Sequence, residues 1–183
     1  LNITVNVAKS MNDLTDTSKL ILPGVGSFDT AMQKFNSSGL RDGVEKMVME
    51  HKTPILGICV GMQMLANSSD EGNLPGLGWV DGKVIKFDKL KNSSSKIVPH
   101  MGWNNIVPKF NEDLFKNMDG KFRFYFLHSY FFDCLNESDV LSTTDYGFNF
   151  TSSVKKNNIY GVQFHPEKSH HFGVQLLQNF SNI

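Results

Sequence analysis

The chain has 183 residues, with 18 basic and 18 acidic side chains and no long run of either sign, so it carries no electrostatic footprint for nucleic acid or a membrane surface. At 40% apolar it can bury a core as one domain, residues 1–183, and no apolar run approaches a bilayer span or reads as a signal peptide. Its two cysteines, Cys59 and Cys134, make no disulfide framework, so a reducing cytoplasm is the expected compartment.

Leu1 to Val7 alternates apolar and polar residues, which predicts a half-buried strand. Ser10 to Ser18 is polar and reads as loop with a short turn, and Lys19 to Leu22 reads as a second, buried strand. Pro23-Gly-Val-Gly26 ends that strand, and Ser27 or Asp29 is placed to cap a helix running through Met32 and Phe35. Leu40 to His51 gives a second helix, with Leu40, Val44, Met47 and Val48 on one face. Strands alternating with helices predict an α/β sheet with parallel pairing.

The rest is organised around residues 52–63. Pro54 to Ile58 reads as a short buried strand and Val60 to Ala66 as a helix, with Cys59 at the join between Gly57 and Gly61. This is the spacing of a nucleophile elbow with Cys as the nucleophile. The turn is too tight for side chains beside the nucleophile, and the helix N-terminus is expected to favour thiolate. A buried structural cysteine is the plainer alternative.

Residues 67–78 form a loop rich in Ser, Asp, Gly and Pro, and beyond it the texture turns to strands. Strands are expected over Trp79 to Phe87, Phe122 to His128, Val140 to Thr144, Phe148 to Val154 and Ile159 to Phe164, with a polar turn over Lys89 to Lys96. His165 to Ser169 reads as loop and Phe172 to Phe180 as a closing helix, and most of the 15 Phe read as core.

A thiol nucleophile needs a base, and the base needs an orienting group. Of the six histidines, His165 leaves the carboxyl end of a strand, as Cys59 does, and that edge is where α/β sites are built. Glu167 is two residues on and can hold the imidazole through a charge-assisted hydrogen bond. An oxyanion needs donors: the Val60 N–H is one, and the loop of Gly24, Val25 and Gly26 offers a second. The plain alternative for that loop is a tight strand-to-helix turn.

Leu22-Pro-Gly-Val-Gly26, Gly57-Ile-Cys-Val-Gly-Met-Gln63 and Gly161-Val-Gln-Phe-His-Pro-Glu167 together resemble the class I, triad-type glutamine amidotransferases. Pro99-His-Met-Gly-Trp-Asn104, Tyr125-Phe-Leu-His-Ser-Tyr130 and Glu167-Lys-Ser169 are similar to the glutaminase subunits of imidazole glycerol phosphate synthases, in histidine biosynthesis. The resemblance implies a mixed, mostly parallel central sheet flanked by helices. It implies that Cys59 attacks the glutamine amide, that His165 moves the proton and that Glu167 orients His165, with no cofactor and no metal. It implies that Gln63 and Glu71 hold the amino-acid end of glutamine, and that the Ser129-Tyr130 backbone meets its carboxylate. His128, His170 and His171 are left as structural or exposed, and Cys134 as an inert buried thiol. The implied partner is a (β/α)8 cyclase subunit in a heterodimer that takes the ammonia, with Lys168 as a contact.

In the family a strand, a glycine-containing loop and a helix precede the segment matching Leu1 to Val7. That unit is absent from this sequence, so the expectation is a fragment or a gap filled by another segment. Three other readings stand beside the main one. They are a paralogue supplying ammonia for sugar amidation in surface-polysaccharide synthesis, an inactive truncated scaffold, and a cysteine peptidase of similar fold.

Overall fold

A computed structural model describes residues 1–87, 97–109, 113–118, 120 and 122–183. The expected turn over Lys89 to Lys96 lies outside the described residues. In chain order, the first elements are β1 (Leu20–Gly24), α1 (Phe28–Ser37), α2 (Arg41–Met49), β2 (Ile55–Cys59) and α3 (Val60–Gln63). Then come β3 (Ser68–Ser69), β4 (Gly82–Lys86), β5 (His100–Asn105), β6 (Val107–Pro108), β7 (Arg123–His128) and β8 (Tyr130–Cys134). The last are β9 (Val140–Asp145), β10 (Asn149–Lys156), β11 (Ile159–Val162) and α4 (His170–Asn182).

Among the described residues the main sheet runs β1-β2-β11-β10-β8-β4-β3, with β9 on β10 and β6 on β9, while β5 and β7 pair as a separate ribbon. Pairing is parallel across β1, β2 and β11 and antiparallel across β11, β10, β8 and β4. β2 therefore lies between two parallel neighbours and is covered on both faces. Its pleat sends Ile55 into one core, with Met32, Val48, Met62 and Leu65, and Leu56 into the other, with Phe124, Phe164, Leu176 and Phe180. A strand buried on both faces reads as a continuous apolar run.

Several boundaries differ from expectation. Leu1 to Val7 forms no strand, and all seven residues are exposed, Val7 to 80%. Alternation supplies an apolar face, but a strand also needs a ladder partner, and β1 bonds only to β2 in the described sheet. β1 is half-buried rather than buried, with Ile21 45% exposed. The elbow helix stops at Gln63 instead of Ala66. The N-cap Ser27 makes no side-chain cap bond, its hydroxyl donating to Thr30 instead. The Phe28 N–H at the start of α1 is satisfied by the Glu71 carboxylate at 2.8 Å, and Asp29 turns away to accept the N–H groups of Asn73 and Leu74. The short β3 and β6, and β8 as a strand separate from β7, carry no clear alternation in the sequence.

Candidate active site

The elbow is as tight as its glycines suggest. A Cβ on Gly57 would lie 2.7 Å from the Gly61 carbonyl oxygen, and one on Gly61 would lie 1.8 Å from that of Leu22. No larger residue fits without moving backbone. Between them Cys59 takes φ 55° and ψ −112°, a conformation that costs a non-glycine residue about 1–3 kcal/mol and that the paired strands on either side must hold. That strained turn lifts the side chain off the sheet edge.

Burial pushes the Cys59 thiol up to about 11. The Val60 N–H, directed at the sulfur, pulls the other way, while the Glu167 and Glu71 carboxylates add to the rise and Lys168 opposes it. The expectation of a thiolate favoured by the helix N-terminus is thereby corrected. The N–H effect is present, but α3 has only four residues, and desolvation outweighs it. The resting sulfur donates a long hydrogen bond to the Leu127 carbonyl, 3.9 Å, and accepts one from the Gln163 amide, 3.8 Å.

His165 reaches the same edge by register. β11 runs parallel to β2 with Val162 opposite Ile58, so Cys59 and His165 both emerge just beyond the carboxyl ends of neighbouring strands. His165 Nδ1 lies 2.7 Å from Glu167 Oε1. The carboxylate accepts the Nδ1 proton, which leaves Nε2 with the lone pair of a base. Nε2 is buried and has no hydrogen-bond partner among the described residues. Three bonds fix the His165 segment to β7: its N–H donates to the Tyr125 carbonyl at 2.8 Å, and the buried Ser169 hydroxyl donates to the His165 carbonyl at 2.6 Å while accepting the Tyr125 N–H at 3.0 Å.

Gly24 stands opposite Cys59 in the β1–β2 ladder, and Val25 and Gly26 follow it, Val25 80% exposed and Gly26 at φ +89°. Gln63 is buried, and its amide nitrogen donates to the Tyr130 carbonyl at 3.2 Å and to Gln163 Oε1 at 3.0 Å. Glu71 is half-buried, with one carboxylate oxygen on Phe28 and enough proximity to Cys59 to raise its pKa. Ser129 is the bend between β7 and β8, and Tyr130 opens β8. Lys168 is exposed, its ammonium 5.8 Å from the Tyr125 ring. Cys134 is half-buried, its thiol likewise pushed up to about 11 by burial, and stands apart on β8, donating to the Asn136 carbonyl. His170 is exposed and stacks on Trp103.

Sequence reasoning missed Gln163, Ser169 and the His100–His128 pair. All four are buried polar residues lying within the quoted motifs; for His100 and His128 a polar residue at a strand position is a signal, whereas the partners of Gln163 and Ser169 are set only by the fold. No group of three or more His, Cys, Asp or Glu among the described residues is placed to hold a metal ion.

Comparison with known proteins accords with this geometry. The family model described as "Glutamine amidotransferase class-I" matches residues 2–182. The chain is 54% identical over 183 residues to the imidazole glycerol phosphate synthase subunit HisH of Bdellovibrio bacteriovorus, covering 100% of this chain and 90% of that protein. It is 49% identical to the subunit of that name from Leptospira interrogans, with the same coverage. A crystal structure described as a glutamine amidotransferase superposes at TM-score 0.73 with 21% identity, covering 98% of this chain and 87% of that one, which shows the shared fold. With the matched residues spanning the elbow, the His165 turn and everything between them, the chain belongs to the class-I glutamine amidotransferases.

Proposed function

We propose that this chain, acting as one glutamine amidotransferase domain over residues 1–183, is the glutaminase subunit of an imidazole glycerol phosphate synthase. The observation that carries the reading is the 2.7 Å His165–Glu167 pair on the sheet edge where the Cys59 elbow opens. The relatives' name supplies the synthase.

The chemistry follows from the thiol being protonated at rest. His165 Nε2 takes the Cys59 proton as the sulfur adds to the carboxamide carbon, and Glu167 stabilises the imidazolium that forms. The Val60 N–H and a donor from the Gly24-Val25-Gly26 loop receive the oxyanion. The imidazolium returns the proton to nitrogen, the C–N bond breaks, and ammonia leaves a thioester. Water, deprotonated by His165, then releases glutamate. Glu71 uses its second oxygen on the α-ammonium, Gln63 lines the same end, and the Ser129-Tyr130 backbone meets the carboxylate.

Ammonia at neutral pH is mostly protonated and non-nucleophilic, so it is handed to a (β/α)8 cyclase partner within a heterodimer, in the cytoplasm. No described helix is long and apolar enough to cross a membrane. One face of the β5–β7 ribbon supports the docking site: Met101 opposite Leu127 and Trp103 opposite Tyr125, with Met101 65%, Leu127 38% and Trp103 37% exposed. Lys168 stands over Tyr125 on that face, placed for a partner carboxylate.

The test is labelling with an electrophilic glutamine analogue, a diazoketone. It should alkylate Cys59, stop ammonia release, and be blocked by excess glutamine. Labelling at Cys134 alone, or without glutamine protection, would contradict the assignment.

A further inference from the structure

His100 and His128 lie outside the machinery above, yet both are buried, at 2% and 7% exposed. His100 is stacked between Phe126 and Tyr146, with ring centroids at 4.7 and 3.9 Å, and His128 lies 5.2 Å from Phe87. Packing alone would be served by phenylalanine. Instead their nitrogens form a directed chain. His128 Nδ1 is 2.7 Å from the Tyr130 carbonyl oxygen, which only accepts, so Nδ1 carries the proton. His128 Nε2 is 3.0 Å from His100 Nδ1, and His100 Nε2 is 3.2 Å from Asn104 Nδ2.

The other end is fixed as well. The Asn104 amide is oriented because its oxygen accepts the Asn105 N–H at 2.8 Å while its nitrogen donates to the Asp145 carbonyl at 2.9 Å. His100 Nε2 therefore accepts, His100 Nδ1 donates, and His128 Nε2 accepts. Every nitrogen has one role, and a proton added to either ring would set two donors face to face. Burial in the same direction pushes His128 down to about 3.

The chain ends on the Tyr130 carbonyl, which also accepts from Gln63. The preceding carbonyl, that of Ser129, accepts the Phe87 N–H at 3.3 Å. A planar trans peptide then aims the Tyr130 N–H away from Phe87. Both peptides of this turn are thus held by groups outside it.

We propose that His100 and His128 are positioning residues of the glutamine site, both neutral Nδ1–H tautomers, which pin the Tyr130 carbonyl and so hold the Ser129-Tyr130 turn and the Gln63 amide for substrate. This rests on the reading of that turn as the seat of the substrate carboxylate. The chain continues through Gln63 and Gln163 to the Cys59 sulfur, so the pair anchors one end of a hydrogen-bonded path that runs to the nucleophile.

Nitrogen-15 NMR of the unmodified chain near pH 7, assigned residue by residue, should show His100 and His128, alongside His165, with protonated Nδ1 and bare Nε2, the minor tautomer of free imidazole. A protonated ring or an Nε2–H tautomer at either residue overturns the proposal. Steady-state kinetics supplies the second arm. His128→Phe keeps the aromatic packing and should raise KM for glutamine about tenfold or more, with kcat within about threefold. His128→Asn keeps an N–H at the Nδ1 place and should hold KM within about threefold of the parent. Asparagine doing worse than phenylalanine, or kcat falling with KM unchanged, assigns the pair to packing and overturns the proposal. Absence of glutamine hydrolysis by the parent chain with its partner would sink the functional reading instead, and the tautomers would still decide the pair.

Discussion

Glu71 holds two positions at once. One oxygen caps α1 at Phe28, immediately after the Gly24-Val25-Gly26 loop, and the carboxylate lies close enough to Cys59 to disfavour thiolate. A cationic substrate group beside Glu71 neutralises that repulsion. Glu71→Gln keeps an oxygen for Phe28 and removes the charge, so the fold should survive. Loss of a charge-assisted bond costs about 1.5–3 kcal/mol and should be read mostly in KM for glutamine. A lowered kcat at unchanged KM would contradict the role. His128 gives a prediction of another kind. Its folded pKa of about 3 lies below the ordinary 6.5, so between those values the unfolded chain binds a proton that the folded chain refuses. Stability therefore falls as pH is lowered from 6.5 toward 3, by about 1.4 kcal/mol per unit from this group, and the loss is absent above 6.5. Urea unfolding from pH 6.5 to 4.5 should show a shallower pH slope for His128→Phe than for the parent; equal slopes would mean His128 takes up a proton in the fold. Cys59, His165 and Glu167, the trio proposed for catalysis, could be picked out in the sequence because each sits in a local pattern. Gln163 and Ser169 could not, since their partners, Gln63 and Tyr125, are set by how distant strands come together.

The elbow is the element whose sequence and geometry agree most closely. Glycines two residues either side of Cys59 announce a turn where α3 crosses β1 and β2 with backbone nearly touching backbone. Gly61→Ala drives a methyl group into the Leu22 carbonyl, against backbone on a paired strand. The change should cost about 1–3 kcal/mol or more and displace the Gly24–Gly26 loop, lowering glutaminase activity along with stability. A variant with the parent's denaturation midpoint and rate would show that the strands yield freely. Leu1 to Val7 teaches the converse. Its alternation is as regular as that of any strand in the chain, but pairing belongs to two segments, and no described strand adjoins it. β8 hid for a related reason: Tyr130-Phe-Phe-Asp-Cys134 continues the apolar run of β7, and the break at Ser129 shows only when the ribbon and the main sheet are seen as separate.

At the scale of the molecule, the site sits where three structural units meet. The parallel strands β2 and β11 lead to Cys59 and His165, β1 leads to the Gly24-Val25-Gly26 loop, and the β5–β7 ribbon closes over them through Leu127, Tyr125 and the His100–His128 pair. The ribbon's outer face is the proposed partner surface, so a docked cyclase would press on an element bonded directly to the Cys59 sulfur and to the His165 turn. This arrangement predicts slow hydrolysis by the isolated chain and acceleration by a partner loaded with its acceptor. Placing one further oxyanion donor is worth about 2.7–4 kcal/mol, or roughly 10²–10³ in rate. Lys168→Ala should lose much of that acceleration while leaving the basal rate in place, and an unaffected variant would remove Lys168 from the interface.

The central claim is that Cys59 is the nucleophile of a glutaminase switched on by its partner. The most direct test measures ammonia release from glutamine by the parent chain and by Cys59→Ala, each alone and with the acceptor-loaded cyclase subunit. The parent should be slow alone and faster by roughly 10²–10³ in the complex, and Cys59→Ala should bind the partner equally well and release no ammonia above background. A Cys59→Ala rate within about tenfold of the parent's in the complex, or an isolated parent already at full rate, would contradict the account.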